Sequence, residues 1–163
     1  METQLTNKRR IVAVVVLFMV AFAGLGRLHA KNSRTRNNDE IEIYAEALQS
    51  EVTANQWTDK DVICFSIDGK DPSKKLVEVL RNHKLNVCSL GEWPKKTACS
   101  YSVWLELVTF DSDDDARIRI QSSDLRDINT GSAHFATELR QGEYSLKKVD
   151  GRWTVAAFTP KAN

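Results

Sequence analysis

The chain has almost no surplus of charge: 23 Lys and Arg stand against 22 Asp and Glu in 163 residues. Residues 1–30 hold four of the basic ones (Lys8, Arg9, Arg10, Arg27) and one acidic one (Glu2), so the remaining 133 carry 19 basic and 21 acidic side chains. Nucleic-acid binders need a basic surplus to displace counterions from phosphates. None is present, and no nucleic-acid partner is expected. Cysteines are few, three in all, with no Cys-x-x-Cys and no histidine at ligand spacing from a cysteine. That argues against a zinc site, and no metal or cofactor is expected. Seven glycines are too few and too scattered for a phosphate cradle. Asp68-Gly69-Lys70-Asp71 lacks the Lys-Ser/Thr ending that such a loop requires. Asp111, Asp113 and Asp115 alternate like the first ligands of a calcium loop. The sixth and twelfth positions are Ala116 and Ser122, where an EF-hand has Gly and Glu, so the segment reads as an acidic turn. Ser66, Ser122 and Ser123 stand outside any nucleophile-elbow context. No internal repeat or low-complexity tract is visible.

What the chain does have is one long apolar run. Met1–Arg10 is polar and ends in three basic residues, Ile11–Gly26 is uncharged, and Arg27-Leu28-His29-Ala30 follows. A basic start, an apolar middle and a small-residue end is the layout of an export signal. Cleavage after Ala30 or Ala23 would release a periplasmic or secreted domain. Left uncleaved, the run would anchor it to the cell membrane through residues 11–30. Sixteen helical residues rise about 24 Å, short of a hydrocarbon core of about 30 Å, and a snorkelling Arg27 would let the helix run on to Ala30. Both outcomes place residues 39–160 on the far side of a membrane, joined to residues 1–30 by a polar linker at 31–38.

The exported part reads as one domain. Ile41, Tyr44, Ala45, Leu48 and Val52 recur at helical spacing, which predicts a helix over 39–55, with Asp39, Glu40 and Glu42 in its dipole-favoured first turn. Residues 62–67 are β-branched and aromatic, as in a buried strand. Asp68-Gly69 turns the chain, and Asp71 with Pro72 opens a second helix to about Lys84, with Leu76, Val79, Leu80 and His83 inward. Residues 85–90 form a short strand. From Tyr101 the period becomes two: Tyr101, Val103, Leu105 and Leu107 share one face, Trp104, Glu106 and Val108 the other. Further strands are expected over 116–122, 133–140, 143–149 and 152–158, the last two joined at Asp150-Gly151. Helices followed by a run of strands indicate an α+β fold. The expected form is an N-terminal targeting or transmembrane helix, then two helices packed on a curved antiparallel sheet of four to five strands.

The run Tyr144-Ser145-Leu146-Lys147-Lys148-Val149-Asp150-Gly151-Arg152-Trp153-Thr154-Val155, after two helices, resembles the nuclear-transport-factor-2-like, cystatin-like superfamily. Many of its members end with a strand, an Asp-Gly turn and a Trp-containing strand. The segment Cys64-Phe65-Ser66-Ile67-Asp68-Gly69-Lys70-Asp71-Pro72-Ser73 is similar to small exported bacterial proteins of unknown function. The resemblance covers residues 40–158. It implies either a pocket enzyme or a non-enzymatic binder, since the superfamily contains both.

In an oxidising compartment two of the three cysteines are expected to pair. Cys88 and Cys99 close a short loop, a link that would stabilise by roughly 2–3 kcal/mol. Cys64–Cys99 is the rival pairing. A third reading keeps Cys64 as a small buried hydrophobe. Trp93 and Trp104 are candidates for a pocket or partner surface. His134 and Glu138, two turns of the pleat apart on one strand face, are the best base–orienter pair, with Glu106 as a further carboxylate. The expected function is a non-catalytic binding domain, exported or membrane-tethered, for a partner protein or a small apolar ligand. A pocket enzyme and a structural envelope protein are the alternatives. A filled core with exposed aromatics on the outer sheet face is the outcome that favours a binder.

Overall fold

A computed structural model describes residues 35–89, 99–126 and 136–162. The apolar run at 11–26 lies outside them. Among the described residues, no helix is long and apolar enough to cross a membrane. The chain divides into two compact units, Met1–Asn38 and Asp39–Asn163. Of the first, only residues 35–38 are described, and they are helical although the linker was expected to include them.

The first helix, α1 (residues 35–54), buries Ile41, Tyr44, Ala45 and Leu48 as the spacing predicts. Its buried side also takes in Ile43, Ala47 and Glu51, so the stripe is wider than the apolar pattern alone. Strand β1 (Ile63–Ile67) follows. Asp68 and Gly69 both take positive φ, 50° and 72°. Ile67 and Lys70 therefore exchange backbone hydrogen bonds of 3.0 and 2.9 Å across a two-residue turn. Such a turn suits Asp-Gly because glycine carries no Cβ to clash.

Helix α2 (Lys74–Asn82) starts two residues later than Asp71 would have it. Ser73 is the N-cap, and its hydroxyl accepts from the Leu76 N–H at 3.2 Å. Lys84 holds φ at 64°. Its N–H reaches the Arg81 carbonyl and that of Leu85 the Leu80 carbonyl, which closes the helix in a Schellman motif. His83 is consequently an exposed cap residue, not a core one.

Among the described residues, five more strands join β1 and β2 (Val87–Ser89) in the sheet: β3 (Tyr101–Leu105), β4 (Thr109–Phe110), β5 (Asp115–Asp124), β6 (Thr137–Val149) and β7 (Arg152–Pro160). The order is β2-β1-β3-β5-β6-β7, with β4 pairing β5. The expected antiparallel sheet of four to five strands is thus corrected to one mixed sheet of seven. β1 runs parallel to both β2 and β3, and the other pairs are antiparallel. The cause is α2: a helical crossover brings the next strand back in the same direction, so β1 and β2 pair parallel. A second correction concerns residues 133–149. The two strands expected around Gln141-Gly142 are, from Thr137, one continuous strand, because Gly142 faces inward where the Phe158 ring and Thr159 carbonyl fill the space of a side chain.

Both helices contribute to a single core on one face of the sheet. Leu48, Leu76 and Leu80 meet Ile63, Phe65, Val103, Leu105, Ile118, Ile120, Tyr144, Leu146 and Trp153 there. Trp57, just past α1, stacks on Tyr101 at 4.3 Å and 13°. Beyond Leu105 the inward phase slips. Leu107, expected inside, is 63% exposed, while Val108 and Phe110 pack on the core. A one-residue irregularity in a strand moves every later side chain to the opposite face.

Candidate functional site

The outer face, opposite the helices, presents the alternate residues of each strand. Register sets two rows across it. Ser66, Trp104, Gln121 and Gln141 are successive neighbours from β1 to β6, and the Lys161 N–H donates to the Gln141 carbonyl at 2.9 Å. The second row is Arg119, Glu143 and Thr159, extended by Glu106, whose N–H donates to the Arg119 carbonyl at 3.0 Å. Between the rows lies a depression of about 420 Å³ lined by Trp104, Glu106, Arg119, Gln121, Gln141 and Glu143, with residues 159–161 closing one side.

Trp104 is 37% exposed at the head of this depression. Its ring is flanked in the depression by the polar side chains of Glu106, Arg119, Gln121 and Gln141, the setting in which an amphipathic aromatic serves recognition. Arg119 stands between two carboxylates, 3.5 Å from Glu106 and 3.5 Å from Glu143. Glu143 is shared with Arg117 at 3.6 Å. Arg117 in turn grips Asp111 through Nε and a terminal nitrogen at 2.7 and 2.8 Å. That hydrogen bonding holds the Asp111 carboxyl below the usual carboxylate range. These exposed pairs add little stability. Of these residues, Glu106, Arg119 and Glu143 line the depression with Trp104.

Of the residues expected at a site, Trp104 and Glu106 line the depression. Glu138 is exposed beside it and accepts from Gln121 Nε2 at 3.3 Å. Trp93 and His134 lie outside the described residues, so the His134–Glu138 pair has no geometry here. The three cysteines gather on this same face. Cys64 sits beside Cys88 in the β1–β2 register and beside Ser102 in β3. The Sγ of Cys64 is within bonding distance of both Cys88 and Cys99, while Cys88 and Cys99 have their sulfurs 3.7 Å apart.

One polar cluster was not anticipated. Glu51 of α1 is fully buried against the inner face. Its Oε1 accepts from Ser122 Oγ at 2.6 Å and from Asn55 Nδ2 at 2.8 Å. Its Oε2 accepts from the Tyr144 hydroxyl at 2.8 Å and lies 3.7 Å from the Arg140 guanidinium. Arg140 also stacks on the Phe158 ring at 3.6 Å. Burial, and then the Glu51 charge, push the Tyr144 hydroxyl far above the ordinary tyrosine range. A buried charge met by this many donors is a satisfied one, and the cluster pins α1 to β5 and β6. The available signal was positional: Glu51 falls on the stripe Ile41, Tyr44, Leu48, where a carboxylate would otherwise be desolvated without a partner.

No protein-family model, characterised protein or solved structure matches the chain.

Proposed function

We propose that the chain is an exported or membrane-tethered, non-catalytic binding domain that engages a partner protein through its outer sheet face. The observation that carries this reading is Trp104, 37% exposed at the head of a depression on the face away from the helices. The inner side supports it: its core is filled by helix and sheet side chains. The chemistry of the lining also supports it. An apolar partner side chain would cover the Trp104 ring, and backbone or polar groups beside it would meet the amides of Gln121 and Gln141 and the Arg119 guanidinium. Aromatic anchors ringed by polar groups are where protein interfaces concentrate their affinity. The sequence of residues 1–30 supports export, with tether or release decided by cleavage.

The test is a photoreactive amino acid placed at position 104, 121 or, as a control on the helix side, 74, in the full chain expressed in its native cells. Illumination is expected to give one discrete adduct from 104 and 121 and none from 74. Weakening of the 104 adduct by Arg119→Glu is expected as well. Equal adducts from all three positions, or none from 104, would overturn the reading. Fractionation with N-terminal sequencing of the mature chain separates the anchored from the released form.

A further inference from the structure

Three cysteines reach one point from three separate places: Cys64 near the start of β1, Cys88 on β2, the outermost strand among the described residues, and Cys99 shortly before β3. The Cα of Cys64 is 4.8 Å from that of Cys88 and 5.8 Å from that of Cys99. Both separations lie within the span of a disulfide. The three sulfurs fall within 4.8 Å of one another. A cysteine sulfur forms one S–S bond, so Cys64 holds only one neighbour at a time, and the other is kept against that bond as a thiol. The two arrangements are not equivalent. Cys64 and Cys99 are fully buried beside Leu125, whereas Cys88 is only partly buried and stands on the outermost strand of the sheet among the described residues.

We propose that Cys64, Cys88 and Cys99 form a thiol–disulfide exchange site, with Cys64–Cys99 as the inner bond and Cys88 as the outward thiol that reacts with low-molecular-weight disulfides. In the internal step the Cys99 thiolate attacks Cys64 Sγ within the Cys64–Cys88 bond. The Cys64–Cys99 bond forms, the Cys64–Cys88 bond breaks, and the electron pair leaves on Cys88 Sγ, which takes up the proton that Cys99 gave up. One disulfide exists before and after, so no oxidant is consumed. In the external step the Cys88 thiolate attacks a disulfide R–S–S–R. A Cys88–S–R bond forms and R–S⁻ departs. Partial exposure on this outermost strand gives Cys88 the access that thiolate attack requires.

The sequence makes the site readable, because each cysteine falls on its own tryptic peptide: residues 61–70, 85–95 and 97–117. The full chain, purified without reductant, is labelled with iodoacetamide under native conditions and digested. One thiol per chain should label, on peptide 85–95. Oxidised glutathione should add a single glutathione on the same peptide, and Cys88→Ser should take none. The deciding variant is Cys99→Ser. An exchange site requires that losing this buried residue lock the Cys64–Cys88 bond and abolish glutathione uptake, whereas a Cys88 out of reach of Cys64 would still react fully. A second measurement needs no substitution. Link mapping of unlabelled wild-type chain should find peptide 61–70 joined to both 85–95 and 97–117, and prolonged iodoacetamide treatment should convert the first link into the second. Labelling of all three cysteines without reductant, undiminished glutathione uptake by Cys99→Ser, or a single link that never shifts would each overturn the proposal.

Discussion

Replacing Glu51 by alanine should be among the most damaging single changes in this domain, and its size follows from what each donor can do afterwards. Glu51 is fully buried and receives Ser122, Asn55 and Tyr144, with Arg140 near by. Asn55 Nδ2 keeps a second acceptor in the Glu51 backbone carbonyl at 2.9 Å, which survives the substitution. The Arg140 side chain is 25% exposed and can turn to water. Tyr144 cannot, and Ser122 is left only a long contact to the Arg140 backbone carbonyl at 3.4 Å; both are buried. Each stranded buried hydroxyl costs about 1–3 kcal/mol, and the truncation leaves a cavity as well. The expected loss is therefore about 3–5 kcal/mol, in line with breaking a buried charged pair and a large part of a typical total of about 5–15 kcal/mol. Urea unfolding followed by tryptophan fluorescence measures it. With a slope of about 1–3 kcal/mol per molar urea, the midpoint should fall by more than about 1 M. Glu51→Gln, which keeps an acceptor for one hydroxyl, should lose less than Glu51→Ala. A cycle with Tyr144→Phe should return a coupling of at least about 1 kcal/mol. A loss below about 1 kcal/mol for Glu51→Ala, or strict additivity with Tyr144→Phe, would refute the network as the clamp between α1 and the sheet.

Gly142→Ala should destabilise by about 1–3 kcal/mol, since an added Cβ collides with the Phe158 ring and the Thr159 carbonyl; a thermal shift within error of wild type would remove the packing explanation for the unbroken β6. Alkaline unfolding should follow the buried tyrosines. Burial, against a lowering hydrogen bond from the Val108 backbone, pushes Tyr44 up to about 12. The folded state therefore keeps a proton that the unfolded chain gives up from about pH 10. The stabilisation is whole below pH 10 and is lost as pH rises toward 12, at about 1.4 kcal/mol per pH unit for one such group. Tyr44→Phe should flatten the urea midpoint between pH 10 and 12. An unchanged pH slope in that variant would count against the assignment.

Much of this architecture could be read from local pattern. The stripe from Ile41 to Leu48, the alternation from Tyr101 to Leu105 and the two Asp-Gly turns each depend on neighbours within a few residues, and each appears in place. What could not be read depends on distant partners. The parallel pairing of β1 with β2 and β3 follows from where a crossover returns the chain, and periodicity carries no direction. Gly142 looked like a strand break because the ring that fills its missing side chain comes from β7. The Glu51 cluster could not be assembled from local pattern because its hydroxyl donors stand 71 and 93 residues further along. Trp104 was legible as an outward residue by alternation. Its company was not, because Gln121, Gln141 and Glu143 join it only through the registers of β5 and β6.

The same division by face separates what stabilises this domain from what it can use. The helix-covered face holds the large apolar core and the Glu51 cluster, where each substitution is expected to be read as stability. The opposite face carries Trp104, the Arg119 carboxylate pairs and the cysteine cluster within one continuous run of strands. Register relates these features. Cys64 lies two residues before Ser66 on β1, and Ser66 is the lateral neighbour of Trp104. Residues alternating along a strand share a face, so the exchange site and the binding depression look out on the same side. A partner seated on Trp104 would therefore lie near the strand that carries Cys88, and partner binding is expected to slow iodoacetamide labelling of peptide 85–95. Labelling that is indifferent to a saturating partner would show that the two features of this face act independently.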